Sequence, residues 1–263
     1  MNLELYQIDA FTDKVFSGNP AAVCPLREWP DDKILQNIAM ENNLSETSFF
    51  IKEKDGYYIR WFTPTTEVKL CGHATIASAF VIFNYLTPGT DNICFNSKSG
   101  KLYVRKQKNT LILNFPQELA IVNELSNDYV DILGEKASSI HCISDHSIMA
   151  VFNSEESVRL LKPDLQKLLK LEKSLVVTSK SKLKSVDFVS RCFCPQEGIN
   201  EDPVTGSNHC FLGPFWSGEL NKKSMVARQL SRRGGELFIT LLDDNRIEIS
   251  GKAILYMKSE IFF

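Results

Sequence analysis

The stretch Arg60-Trp61-Phe62-Thr63-Pro64, followed by Leu70-Cys71-Gly72-His73-Ala74 and an apolar run, decides the fold because its pattern occurs twice. The second copy is Arg191-Cys192-Phe193-Cys194-Pro195, then Val204-Thr205-Gly206-Ser207-Asn208 and another apolar run. Both follow the order Arg-x-Phe-x-Pro, polar loop, glycine, apolar segment, with a slightly longer loop in the second. An ordered recurrence of this kind reads as an internal duplication. The segment after Gly72 carries Ile76, Ala77, Phe80, Val81, Phe83 and Leu86 nearly all round, which predicts a helix enclosed by strands. The segment after Gly206 carries Phe211, Leu212, Phe215 and Trp216 and predicts a second such helix, kinked at Pro214. The expected architecture is α/β: two similar halves, each a sheet around one central helix.

The flanking sequence supplies those sheets. Leu3 to Ala10 and Ala21 to Val23 are strand-like, with Gly18-Asn19-Pro20 as the turn between them. Pro30-Asp31-Asp32 opens a helix with Ile34, Leu35, Ile38 and Ala39 on one face, and Asn42-Asn43 closes it. Phe49 to Ile51 and Tyr57 to Phe62 form a hairpin around Lys54-Asp55-Gly56, and Thr110 to Phe115 is a strand. Further on, Ile148 to Phe152, Leu175 to Thr178, Asp187 to Phe193, Glu236 to Leu242 and Arg246 to Ile249 are strand-like. Pro163 starts a helix containing Leu165, Leu168 and Leu169. The halves divide near Pro116 to Asn127, giving residues 1–118 and 119–251.

Composition narrows the function classes. With 43% hydrophobic and 24% charged residues the chain is an ordinary globular protein. A net charge of -2 and the lack of a long Lys/Arg run argue against a nucleic-acid partner. Lys180 to Lys184 is mixed with serine and reads as a solvated loop. The opening residues Met1 to Tyr6 lack the basic start and apolar core of a signal peptide. The longest apolar run, Ala74 to Leu86, is too short to span a bilayer, so no membrane partner is expected. Seven scattered cysteines form no disulfide framework and point to the reducing cytoplasm.

A buried helix that begins at a glycine turn exposes unpaired N–H groups and the positive end of its dipole, which suits an anion. Two such starts, Gly72-His73 and Gly206-Ser207, are expected to face one cleft and hold a small carboxylate from either side. Read singly, Ser207 is a helix cap and His73 a surface residue; their pairing favours the anion site. Glu46, in Asn43-Leu44-Ser45-Glu46-Thr47, lies between a helix and an apolar strand, where a partly desolvated carboxylate suits proton transfer. Asp202, in Glu201-Asp202-Pro203, is locally a cap for the second helix. Cys71 precedes the first helix, a place that can activate a thiol, but its match Thr205 rules out a symmetric thiol pair, and a buried, inert Cys71 is the favoured reading. Cys192-x-Cys194 with His209-Cys210 fits no usual zinc spacing, so no metal is expected. No dinucleotide or phosphate-loop motif is present, so no nicotinamide, flavin or ATP is expected, and Gly234-Gly235 reads as a hairpin turn.

Taken together, Ser17-Gly18-Asn19-Pro20-Ala21-Ala22-Val23, Asn43-Leu44-Ser45-Glu46-Thr47, Arg60 to Pro64, Cys71-Gly72-His73-Ala74-Thr75 and Glu201-Asp202-Pro203-Val204-Thr205-Gly206-Ser207 resemble the PhzF-like phenazine-biosynthesis isomerases. Gln229 with Ser231, Arg233, Gly234 and Gly235 adds to the likeness, which covers nearly the whole chain. The resemblance implies a diaminopimelate epimerase-like fold of two pseudo-symmetric halves, each a curved, mostly antiparallel sheet around a central helix, with a final strand near 252–263 returning to the first. It implies that Glu46 moves a proton between substrate carbons without a cofactor and that Asp202 assists. His73 and Ser207 are implied to bind substrate, with Asn19, Gly72 and Gly206 beside them, and a homodimer is implied. Asn208 departs from the small alanine usual in that family, so the substrate does not carry over. Two rivals remain open: a two-base racemase or epimerase using Cys71 and Asp202, and a binding protein without catalysis.

Overall fold

The computed structural model describes residues 2–118, 121–124 and 129–263, which form two compact units: Met1–Phe115 with Glu248–Phe263, and Pro116–Ile247. The expected boundary stretch includes residues 119–120 and 125–127, which lie outside the described residues.

The first unit runs β1 (Asn2–Ala10), β2 (Asn19–Leu26), α1 (Asp32–Asn42), β3 (Glu46–Glu53), β4 (Gly56–Phe62), β5 (Glu67–Val68), α2 (Gly72–Val81), β6 (Asn92–Ser97), β7 (Gly100–Gln107) and β8 (Thr110–Pro116). Strands β2 and β3 pair in parallel, β3 and β4 antiparallel, β4 and β6 in parallel, and β6 and β7 antiparallel. The second unit runs β9 (Ile121–Glu124), α3 (Val130–Leu133), β10 (Ser139–Ser144), β11 (Ser147–Val151), α4 (Glu155–Leu160), α5 (Leu165–Lys170), β12 (Ser174–Lys180), β13 (Phe188–Cys194), β14 (Ile199–Asp202), α6 (His209–Leu220), β15 (Ser224–Gln229) and β16 (Gly235–Leu241). The pairing pattern recurs: β11 and β12 parallel, β12 and β13 antiparallel, β13 and β15 parallel, β15 and β16 antiparallel. The chain ends with β17 (Arg246–Gly251) and β18 (Ala253–Phe262), the latter antiparallel to β1.

Alternation along β3 directs its side chains to two helices. Thr47 and Phe49 face α1: the Asn42 amide donates to Thr47 Oγ1 at 3.1 Å, and Phe49 joins a core with Leu35, Ile38 and Ala39. Ser48 faces α2, meeting Ser78 Oγ at 2.8 Å, and Glu46 shares that face. Helix α2 is buried at every residue but Phe80 and packs on β1, β2 and β3, as its all-round apolar sequence predicts. The last expected turn, Ile82–Leu86, widens into a π-helix.

Local chemistry shifts several boundaries. Asn19 and Pro20 belong to β2, paired with Ala10 and Asp9; only Gly18 of the expected turn has positive φ, 66°. A side chain there would collide with the Ala10 carbonyl, 2.1 Å from an ideal Cβ. Asp31 caps α1 by accepting from the Lys33 N–H at 2.8 Å, and Asn43 ends it in the left-handed region. Asp164, not Pro163, caps α5. Helix α6 starts at His209 instead of directly after Gly206, because Gly206 and Ser207 accept i+3 bonds from His209 and Cys210. Its N-cap is therefore Asn208, and Ser207 is exposed. Pro214 lies inside α6 and cannot bond back to the Cys210 carbonyl; the Glu118 N–H takes that acceptor at 3.0 Å.

Candidate active site

Two helix starts carry the predicted chemistry, one in each unit. In the first, Cys71 is the N-cap of α2, and its carbonyl accepts from the Thr75 N–H and hydroxyl at 3.2 and 2.5 Å. His73 on the first turn is 5% exposed, so it is not the surface residue that its sequence alone suggests. Its Nε2 lies 3.0 Å from Glu46 Oε2. Its Nδ1 lies 3.2 Å from the Asn19 amide nitrogen and 3.5 Å from Cys71 Sγ. Asn19 is fully buried, and its Oδ1 accepts from the Ser45 hydroxyl at 3.3 Å. With the Asn19 amide donating to Nδ1, a neutral ring carries its proton on Nε2, facing Glu46.

The Glu46–His73 contact is an ion pair without hydrogen-bond alignment, since neither facing atom has a hydrogen-bond partner among the described residues. Burial works against the imidazolium, but the neighbouring Cys71 and Glu46 favour it and hold the His73 pKa well above its ordinary value. Burial first, and then Glu46, push the Cys71 thiol up to about 11. At neutral pH Cys71 is thus a thiol, and the carboxyl group of Glu46 lies 3.0 Å from the ring on its other side. The activating effect of the helix start does not overcome desolvation here.

Glu46, Cys71 and His73 present a carboxylate, a thiol and an imidazole within 4.8 Å of one another, a donor set that a metal can use. The ring stands between the other two groups, thiol at Nδ1 and carboxylate at Nε2. One ion takes only one ring nitrogen, so this order suits proton relay better than chelation.

In the second unit Asp202 ends β14 and is 8% exposed. The Thr205 hydroxyl donates to its Oδ2, and the N-cap position of α6 belongs to Asn208. Gln229, 1% exposed at the end of β15, donates to the Asp202 carbonyl at 2.8 Å and accepts from the Thr205 N–H at 2.9 Å. Gly206 is buried beside exposed Ser207. His209 is fully buried and contacts the Thr205 carbonyl through Nδ1 at 3.0 Å; burial pushes its pKa down to about 4. Cys192 and Cys194 are both buried on β13, and contact with Cys192 followed by burial raises the Cys194 pKa.

The two Arg-x-Phe-x-Pro segments build the same support. Arg60 grips Glu67 with two hydrogen bonds, of 2.8 and 2.9 Å, and Arg191 grips Glu201 with bonds of 2.7 and 3.1 Å. Each guanidinium also lies over the phenylalanine two residues on, Phe62 at 5.1 Å and Phe193 at 4.6 Å. Sequence reading missed this pairing. Its signal was present: a glutamate four residues before Cys71 and another four before Thr205.

Residues 8–259 match the family model for phenazine biosynthesis-like proteins. An uncharacterized isomerase of Pseudomonas aeruginosa is 42% identical, covering 99% of both chains. The crystal structure of a PhzF-family protein from Enterococcus faecalis superposes with a TM-score of 0.94 at 42% identity, covering 100% of both chains. A hydroxyproline epimerase from Agrobacterium vitis shares the fold at 10% identity, with a TM-score of 0.61 over 99% of this chain and 92% of its own. No helix among the described residues is long and apolar enough to cross a membrane. The chain therefore belongs to the phenazine biosynthesis-like PhzC–PhzF family, which includes relatives named as isomerases.

Proposed function

We propose that the protein is a cofactor-independent isomerase that moves a proton between carbons of a small carboxylate, with Glu46 as general acid and base and Asp202 assisting. The observation that carries this is Glu46 Oε2 set 3.0 Å from His73 Nε2 at the start of a buried helix, neither atom engaged in a hydrogen bond. Beside an imidazolium Glu46 begins as a carboxylate. It takes a proton from a substrate carbon, and the electron pair left behind delocalises toward the substrate's own unsaturated or carboxylate group. Glu46 then returns the proton to another carbon, so no electrons are gained or lost. His73 and the backbone N–H groups at Gly72 and Gly206 stabilise the negative charge that develops. Asn19 contacts the other ring nitrogen of His73, and in this reading Ser207, which is exposed, donates to substrate. Seven free cysteines fit a cytoplasmic protein, and the exposed Tyr256 and Phe262 on β18 fit a homodimer.

The test is deuterium incorporation from D₂O into a panel of small unsaturated and amino-substituted carboxylates, followed by NMR. Glu46→Gln is expected to lower exchange on the order of 10²–10⁴-fold while the melting curve stays that of a folded protein. Full exchange in that variant would remove Glu46 from the mechanism. Absence of exchange with carboxylates that bind would favour a binding protein.

A further inference from the structure

We propose that Thr205 and Gln229 form a hydrogen-bond relay that positions and polarises the Asp202 carboxylate, making Gln229 a positioning residue for this chemistry. The inference rests on the assisting role assigned to Asp202 above. Gln229 Nε2 donates to the Asp202 carbonyl at 2.8 Å and to Thr205 Oγ1 at 3.3 Å, while its Oε1 accepts from the Thr205 N–H at 2.9 Å. The amide orientation follows from the backbone, since a carbonyl only accepts and an N–H only donates. Both N–H groups and the oxygen of this buried amide are thus spent on residues 202 and 205. With Gln229 donating to it, the Thr205 hydroxyl turns its own hydrogen onto Asp202 Oδ2. Successive donation strengthens each link and favours the charged carboxylate at its end.

The internal duplication separates this relay from mere scaffolding. Phe188 pairs with Ala227, and its counterpart Tyr57 pairs with Phe95, each three residues before the gripping arginine. Gln229 therefore corresponds to Ser97, and Ser231 to Ser99. The serines do the same work in both units: Ser231 donates to the Pro203 carbonyl at 2.7 Å and Ser99 to the Lys69 carbonyl at 2.7 Å. That clamp belongs to the scaffold. Gln229 does not: its counterpart Ser97 donates to the Gly100 carbonyl at 2.8 Å, inside the turn between β6 and β7. Counting back from Thr205 and Cys71, Asp202 corresponds to Val68. The long amide and the carboxylate it serves occur together in one unit and are both missing at the matching positions of the other.

Among the described contacts of Asp202, Cys192 pairs with it across the ladder and Cys194 feels its charge, while Glu201 next to it in sequence is held by Arg191 and His209 contacts the Thr205 carbonyl. None is altered by the substitutions below. In protein labelled with ¹³C at aspartate carboxyls, the Asp202 signal is the one lost in Asp202→Asn, and its shift is followed against pH without any substrate. Thr205→Val and Gln229→Glu are expected to move its midpoint to higher pH. Thr205→Ser, which restores the hydroxyl, and Ser231→Ala, which loosens only the clamp, are expected to titrate as the parent does. Unchanged midpoints in Thr205→Val and Gln229→Glu would overturn the relay, as would an equal shift in Ser231→Ala. Should Gln229→Glu fail to fold, Thr205→Val alone decides, since it removes the middle link. Because no turnover is measured, this result stands apart from the Glu46 exchange test.

Discussion

The loop entering α2 and the loop entering α6 are built on one plan and carry different chemistry. Both follow an arginine–glutamate grip and a serine clamp on a loop carbonyl, and both lead into a buried helix, α2 beginning at Gly72 and α6 three residues after Gly206. The strand registers align them residue by residue: Arg60 faces Phe49, and Arg191 faces Val177. Glu46 thereby corresponds to Ser174, each the first residue of its strand. The acid of one unit is a hydroxyl in the other, and Asp202 answers to Val68. The supporting groups are shared, whereas the groups able to move a proton are not. A duplicated scaffold can keep its framework while each copy specialises, because the framework is paid for by burial and pairing that the reactive positions do not supply.

This contrast can be tested from its largest consequence downward. The greatest difference is expected between Glu46→Gln, at 10²–10⁴-fold loss of exchange, and Ser174→Ala, at about twofold or less. A comparable loss in Ser174→Ala would mean that the two positions do not differ in function.

The histidines of the two loops come next, for they titrate in opposite senses. His209 is buried neutral with a pKa near 4 against an ordinary 6.5. The unfolded chain therefore binds its proton first, and stability falls as pH drops from about 6.5 toward 4. The gap corresponds to about 3 kcal/mol, read as the pH dependence of urea midpoints. His73 is raised instead, so its contribution is fully present below about 6.5 and is lost as pH rises through its folded value. His209→Asn is expected to flatten the acid side of the profile. An unchanged slope there would deny that His209 is buried without its proton.

Cys71 gives a slower and smaller signal. With its thiol pushed up to about 11, alkylation by iodoacetamide at pH 7 is expected to lag well behind that of a small free thiol, followed by mass spectrometry. Rapid modification with loss of exchange would revive the two-base epimerase. Smallest of all are the clamps: Ser99→Ala and Ser231→Ala are each expected to cost about 1 kcal/mol of stability, and a large inequality between them would break the shared-framework reading.

Much of this organisation was legible in the chain itself. Apolar residues all round the segments after Gly72 and Gly206 required enclosed helices, and the Asp31 and Asn43 caps marked α1 within a residue. Alternation in Glu46–Glu53 separates two faces without saying what covers either. That Glu46 meets His73, and that Asn19 reaches the same ring, depends on the parallel pairing of β2 with β3 and on α2 packing across them. The start of α6 was misjudged because Gly206, Ser207 and Asn208 form i+3 bonds that a helical sequence pattern does not distinguish.

Local patterning determined the elements, the recurring motif and the residue types at each helix start, because periodicity, caps and turns are properties of neighbours along the chain. The state of each group was decided only by the folded unit. Whether Cys71 is activated or silenced, whether His73 gains a proton while His209 loses one, and which amide supports Asp202 all depend on desolvation and on partners far away in sequence. Those energies exist only once strands from separate stretches have closed around the side chains.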